Sequence, residues 1–311
     1  MTLSKNKFET YSPPELKLEH HAFNSVPSCY LQWRRDRLWV RAAIPNKTEI
    51  ALPAFAREDW FQACLMRSSV KAVYIDPALG SSAIAFWARA CAAAQKPLYV
   101  RIPSSASLPH KRYPLVWAIK QGGDRLGALL LLLVLSPLLL SIAALIKLQD
   151  GGPVFFRQWR VGQRGKLFRI IKFRSMVINA EKIHSQVMQN QAGLHKLEND
   201  PRITPLGKWL RKLSLDELPQ LINVACGEMS MVGPRPWALY DAVRIRPELR
   251  QRLNALPGMT GAWQVQARSA QLDLDAVTIQ DLQYLKSWSL WQDVKILLLT
   301  VPRVLKGHGA Y

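Results

Sequence analysis

Hydrophobic and polar positions divide the chain into three regimes. In the first, short apolar runs alternate with helix-length segments. Lys71–Asp76 (KAVYID) reads as a buried strand, Ser81–Gln95 as an alanine-rich helix and Pro97–Ile102 (PLYVRI) as another strand. Upstream, Arg37–Ile44 reads as a strand and Arg57–Met66 as a helix. Strand–helix–strand order predicts a parallel sheet, hence a small α/β unit over residues 1–108. Gly80-Ser81-Ser82 at a helix start could cap the helix or bind phosphate, and a single glycine favours the cap.

The second regime is Leu126–Ile146, LGALLLLLVLSPLLLSIAALI, 21 residues without a charge. A straight helix of that length reaches about 30 Å, enough to cross a bilayer core. Two features predict otherwise. Ser136-Pro137 lies at the midpoint, where proline removes a backbone hydrogen bond and kinks the helix. The serine hydroxyl can bond a freed carbonyl, so the break is tolerable in lipid. Both flanks are also basic: Lys111, Arg112, Lys120 and Arg125 before, and Lys147, Arg157, Arg160, Arg164, Lys166 and Arg169 after. A spanning helix normally shows one such flank, on the cytoplasmic side. The pattern predicts a re-entrant membrane helix over 126–148, reached through a linker at 109–125.

The third regime, 149–311, is polar and basic. Ile203–Leu213 is short and amphipathic around Trp209, and Tyr284–Leu305 joins Trp288 and Trp291 to a leucine-rich run. Aromatic and basic residues on amphipathic helices suit the headgroup layer, but a core-facing stripe with a solvated basic face fits equally.

Charge sharpens this picture. Of 311 residues 42 are Lys or Arg and 22 are Asp or Glu, a net +20, of which +15 falls after residue 100. Such a surface seeks phosphate, on nucleic acid, on anionic lipid or on a small substrate. A hydrophobic fraction of 49% excludes wholesale disorder. Cys29, Cys64, Cys91 and Cys226 make no metal or redox spacing and read as reduced thiols. The polar first twenty residues, broken by Pro13-Pro14, do not read as a signal peptide.

Candidate chemistry concentrates in Ser214-Leu215-Asp216-Glu217-Leu218-Pro219. Ser214 and Glu217 have capping-box spacing, which leaves Asp216 spare and suits Pro219 poorly. Cap and catalytic site are therefore both open readings. Lys172 and Arg174, two residues apart, would share one face of a strand. Arg211, Arg235 in Gly233-Pro234-Arg235-Pro236 and Arg268 after Pro257–Gly261 add further cations. Cations around an acidic pair suit a substrate with two phosphates and a divalent metal.

From about Lys111 to Tyr311 the chain resembles the bacterial sugar transferase family, the monotopic polyprenyl-phosphate phosphoglycosyl transferases. The resemblance rests on the Ser136-Pro137 segment, Arg160-Val161-Gly162 with Gly165-Lys166, Lys172–Met176, Asp200–Thr204, Ser214–Gln220, Met229–Pro236, Pro257–Gly261 and Trp288–Trp291. It implies a mixed α+β catalytic domain on the cytoplasmic face of the bacterial inner membrane, with a re-entrant helix and amphipathic interfacial helices. It also implies the activity: sugar-1-phosphate passes from a nucleotide diphosphate sugar to polyprenyl (undecaprenyl) phosphate, starting an exopolysaccharide or related envelope glycan. On this resemblance Asp216 is the nucleophile and Glu217 the ligand of Mg²⁺, or of Mn²⁺, since a hard oxygen site accepts either. Lys172, Arg174, Arg211, Arg235 and Arg268 would steady phosphate oxygens. Anionic lipid and downstream glycosyltransferases are the other expected partners.

The family's Gly-Trp-Ala-Gln-Val-Asn-Gly-Arg reads Gly261-Ala262-Trp263-Gln264-Val265-Gln266-Ala267-Arg268 here, a change that bears on the donor. Large relatives carry a nucleotide-binding-like domain, of which residues 1–108 would be a trimmed counterpart. Two rivals are a catalytically silent, membrane-anchored scaffold and a nucleic-acid binder. The intact acidic pair counts against the first, and the want of a base-reading motif counts against the second.

Overall fold

The computed structural model describes residues 29–42, 58–103, 109–180, 200–266 and 273–305. The N-terminal unit contains β1 (Cys29–Arg34), β2 (Arg37–Ala42), α1 (Glu58–Arg67), β3 (Ala72–Ile75), α2 (Gly80–Ala93) and β4 (Leu98–Val100). The strands form one sheet in the order β1-β2-β3-β4. β2, β3 and β4 run parallel, as their helical crossovers require, and β1 adds an antiparallel edge. α2 begins at Gly80 without a side-chain cap; Asp76 caps the 3₁₀ turn Pro77–Leu79 just before it, accepting from Ala78 N at 2.9 Å. Leu38, Val40, Val73, Ile75, Leu98 and Val100 alternate inward against Phe61, Ile84 and Trp87 of the helices.

This unit is fused to the C-terminal half through a shared interior. Its core is continuous with Trp237, Leu239, Ile245, Trp263 and Val277. The seam is close: a Cβ on Gly165 (φ +79°) would stand 2.1 Å from Val100 O, so only glycine fits there.

A short turn, α3 (Pro109–Arg112), leads into α4 (Pro114–Val134), and α5 (Ser136–Asp150) begins after a single residue. The expected linker at 109–125 is thus largely the first half of α4, and it buries Trp117 and Lys120. The two helices meet at an open elbow of 64°, shallower than a closed hairpin. No single helix among the described residues is long and apolar enough to cross a membrane. Pro137 has no N–H to offer Leu133 O, and Ser136 Oγ takes that acceptor at 2.7 Å. Leu133 and Val134 at the elbow are each 72% exposed, whereas Ala128, Ile142 and Ile146 pack inward.

β5 (Phe155–Val161) and β6 (Leu167–Phe173) form an antiparallel ribbon with Arg160 opposite Phe168 and Phe156 opposite Lys172. Then come α6 (Pro205–Lys212), α7 (Gln220–Ala225), β7 (Ser230–Val232), α8 (Leu239–Ala242), β8 (Gly258–Thr260), α9 (Ala262–Gln266), α10 (Leu274–Lys286) and α11 (Leu290–Leu305). β7 and β8 pair in parallel. A mixed α/β architecture is what the sequence predicts. Of the two C-terminal tryptophans, Trp288 is buried between α10 and α11 and only Trp291, 74% exposed, is solvent-facing. Trp209 on α6 is also exposed.

Candidate active site

The acidic pair sits where three elements converge. α6 ends at Lys212, and Ser214 takes a left-handed conformation (φ 53°) that turns the chain into a short 3₁₀ turn, Leu215–Glu217. The Ser214 side chain makes no capping bond, and Pro219 opens α7 as a separate helix. The capping box is therefore not formed, and both carboxylates serve something other than helix initiation.

Glu217 Oε1 accepts from Lys172 Nζ at 2.7 Å, tying the turn to the end of β6. Asp216 is 8% exposed. Burial pushes its carboxyl up to about 6; Lys172 and Arg211 oppose that shift, and the Glu217 charge reinforces it. Arg211 Nε is held at 2.9 Å by Ser175 Oγ, on the segment just after β6.

In front of Glu217 opens a cleft lined by Arg160, Lys172, Gln220, Arg235 and Gln264, with Ile170 and Met259 as apolar wall. Its far side is the Gly233–Pro236 turn. Gly233 N donates to Thr260 O, and Gly258 N donates to Pro234 O, both at 2.9 Å. A Cβ on Gly258 would come within 2.0 Å of Gly233 N, so the two loops touch backbone to backbone. Arg252, paired at 2.6 Å with Asp281, donates through Nη2 to Arg235 O at 2.6 Å. The Arg235 guanidinium lies over the Trp263 ring at 5.9 Å. Trp263 is one of the two exchanged residues in this loop, so the exchange places an aromatic ring under a cleft arginine.

Among the expected site residues, Asp216, Glu217, Lys172, Arg211 and Arg235 come together. Arg174 does not join them: it lies just past β6, where its guanidinium clasps Asp150 at the end of α5 and donates to Pro153 O at 2.7 Å. Its charge fastens the end of α5 to the segment that follows β6. Arg268 lies outside the described residues. Arg160, Gln220 and Gln264 are cleft residues that spacing alone does not single out. The strand alternation held a signal for Arg160, because residues facing each other across an antiparallel ribbon share a face.

No group of three or more His, Cys, Asp or Glu that could hold a metal comes together among the described residues. The donor set is instead a carboxylate pair beside a cationic cleft. That fits Mg²⁺, which is commonly held by one or two carboxylates together with substrate phosphates and water.

The fold thus joins a bent apolar helix pair to a cationic cleft with the half-buried Glu217 in its lining and the buried Asp216 next to it in the chain. The profile of the bacterial sugar transferase family matches residues 115–307. The chain belongs to that family. It is 42% identical over 200 residues to the undecaprenyl-phosphate galactose phosphotransferase of Salmonella typhimurium, covering 62% of this chain and 42% of the relative. Exopolysaccharide production protein ExoY of Rhizobium meliloti is 41% identical over 210 residues, covering 64% of this chain and 90% of the relative. A UDP-galactose-lipid carrier transferase of Erwinia amylovora is 32% identical over 315 residues, covering 99% of this chain and 62% of the relative. That last likeness includes the N-terminal unit. The chain spans less than half the length of several of the curated relatives it matches.

Proposed function

We propose that this chain transfers a sugar-1-phosphate from a nucleotide diphosphate sugar to undecaprenyl phosphate, the first step of a lipid-linked envelope glycan. The observation that carries the reading is Asp216: a buried carboxylate on a short turn, under the charges of Lys172 and Arg211, next in the chain to Glu217, which lines a cationic cleft. In the first step an Asp216 oxygen attacks the sugar-proximal phosphorus. The phosphorus–oxygen bond to the nucleoside monophosphate breaks, and the nucleotide leaves with the bonding electrons. In the second, an oxygen of the lipid phosphate attacks the same phosphorus, and the Asp216 carboxylate is released.

Lys172 and Arg211 favour the ionised nucleophile and offset its repulsion by an anionic substrate. Glu217 and the donor phosphates would hold Mg²⁺, which supplies further charge neutralisation when bound.

We read the elbow as re-entrant, entering and leaving on the cytoplasmic face. Three features support this: the Ser136–Pro137 break, the basic flanks, and the attachment of both arms to one protein body, through Lys120 on α4 and Asp150 on α5. The exposed faces of α6 and α11 would lie in the headgroup layer.

The test is nucleoside monophosphate release by detergent-purified protein given undecaprenyl phosphate, Mg²⁺ and a panel of nucleotide diphosphate sugars. Lipid-dependent release with one donor, lost in Asp216→Asn, supports the reading and names the sugar. Undiminished release by Asp216→Asn overturns the nucleophile, and no release with any donor favours the scaffold rival.

A further inference from the structure

Among the described residues the fully buried cations are each matched by a carboxylate, whereas the half-buried Arg160 inside the cleft is not. Lys120 meets Asp124 and Asp293, Arg174 meets Asp150, Arg202 meets Asp200 and Arg252 meets Asp281. Arg160 pairs with no carboxylate among the described residues, and its Nε is enclosed without an acceptor. Burial, and then the Arg235 charge, push its guanidinium below its ordinary value, against the pull of Tyr240, Asp241 and Glu217. A half-buried guanidinium whose Nε has no acceptor, and which no carboxylate pairs directly, is a cost to the unliganded fold. Arg160 also lines the cleft that Lys172, Glu217 and Arg235 line.

Its position along the ribbon is specific. Arg160 faces Phe168, and Lys172 stands four residues further along the same face of β6. Their backbone positions are therefore about 13 Å apart, with long side chains converging on one cleft. Two cationic ends result. Lys172 and Arg211 act on Asp216, while Arg160 feels Arg235 and Glu217 within the same cleft.

Resting on the transferase reading, we propose that Arg160, with Arg235, forms a second anion subsite that holds the phosphate leaving in the first step and receives the lipid phosphate in the second. In-line displacement requires the nucleotide oxygen to leave opposite the attacking Asp216 oxygen. The acceptor oxygen must then approach opposite the new Asp216–phosphorus bond, which is the place just vacated. One anion site serves both phosphates in turn, and the chemistry it recognises, a phosphate monoester dianion, is common to nucleoside monophosphate and lipid phosphate.

The test uses the full chain in detergent, with Arg160→Gln and Arg160→Lys, UDP-galactose and UDP-glucose as donors, and UMP as the probe. UMP should inhibit competitively against undecaprenyl phosphate. Arg160→Gln should weaken that inhibition and raise the donor KM by about tenfold to a hundredfold, with Arg160→Lys recovering part of each. UMP should raise the thermal midpoint of the wild type and leave that of Arg160→Gln unmoved. This arm reads the subsite directly and applies even where turnover fails, an outcome that would count against the transferase reading alone.

In ligand-free buffer Arg160→Gln should melt no lower than wild type, because it removes an uncompensated charge. A lower ligand-free midpoint would make Arg160 a structural residue. Wild-type UMP inhibition in both variants, or UMP inhibition that is not competitive with the lipid phosphate, would overturn the shared subsite.

Discussion

Two polar clusters adjoin β7, one through Ser230 at its start and one through the Gly233–Pro236 turn just after it, and they are built on opposite plans. In the first, Lys120 Nζ donates to Asp124 at 2.8 Å, Ser230 Oγ at 2.6 Å and Asp293 at 3.1 Å. Ser230 donates to Asp124 in turn, and Tyr284 OH at 2.5 Å and Trp288 Nε1 at 3.1 Å both donate to Asp293. That network is closed, and it joins α4, β7, α10 and α11. The second, the cleft, is left open. No described side chain hydrogen-bonds the Asp216 carboxylate, Arg160 is unpaired, and Gln264 Oε1 has no donor. A satisfied buried network rigidifies a fold, whereas an unsatisfied one is a cost borne until a ligand completes it. Along the chain β7 thus stands between a network whose polar groups satisfy one another and a cleft where Arg160 Nε and Gln264 Oε1 have no partner.

The largest expected effect separates the two plans directly. Asp216→Asn should lower turnover by about 10⁴-fold or more and abolish any covalent phosphosugar adduct seen by mass spectrometry. Its thermal midpoint should hold or rise, because an unpaired buried carboxyl is removed. Lys120→Met should do the reverse. It leaves Asp124 and Asp293 uncompensated and should cost about 3–5 kcal/mol in denaturant unfolding. The molecules that remain folded should still form the adduct. A stable but inactive Lys120→Met protein would erase the distinction and make the network part of the site.

These clusters also mark what was legible in the sequence. The capping box could employ only one carboxylate, which left cap and catalytic site both open for Asp216 and Glu217; the family resemblance, not the spacing, singled them out. Arg235 was readable because prolines on both sides fix its turn. Lys172 and Arg174 looked equivalent by spacing; they differ because β6 ends at Phe173, so Arg174 is free to reach back to Asp150. The antiparallel edge strand β1 was not predicted, whereas the parallel pairing of β2, β3 and β4 follows from local strand and helix patterns. The seam at Gly165 and the Lys120 network do not, since they join residues more than sixty positions apart, and no local periodicity encodes such a meeting.

A smaller effect concerns pH. The Asp216 carboxyl ordinarily titrates at 3.8 and is raised to about 6 in the fold. As the proposed nucleophile, Asp216 must be ionised, so kcat/KM should fall as pH drops below about 6. For stability the sign is the opposite of an ion-paired aspartate. Between pH 3.8 and about 6 the unfolded chain has ionised while the folded carboxyl keeps its proton, so this group's contribution is lost as pH rises through that window and is level above it. Asp216→Asn should flatten the loss. If wild type and Asp216→Asn show the same stability slope across about pH 4–6, the carboxyl is not perturbed by burial.

The smallest effects belong to the elbow, where one serine stands in for one missing N–H. Ser136→Ala leaves Leu133 O without its partner at a point with few other donors, a cost of about 1 kcal/mol, and should keep the bend because Pro137 still blocks the straight helix. Pro137→Leu supplies the N–H, restores the bond to Leu133 O and removes the ring clash, so the segment should straighten towards a span. Labelling Lys111→Cys and Lys166→Cys with a membrane-impermeant reagent in sealed inverted vesicles reads the outcome. Both sites should react in the parent and in Ser136→Ala, and only one in Pro137→Leu. Should both sites still react in Pro137→Leu, the elbow is set by the anchors at its ends, Lys120 with its two aspartates and Asp150 with Arg174, rather than by the proline.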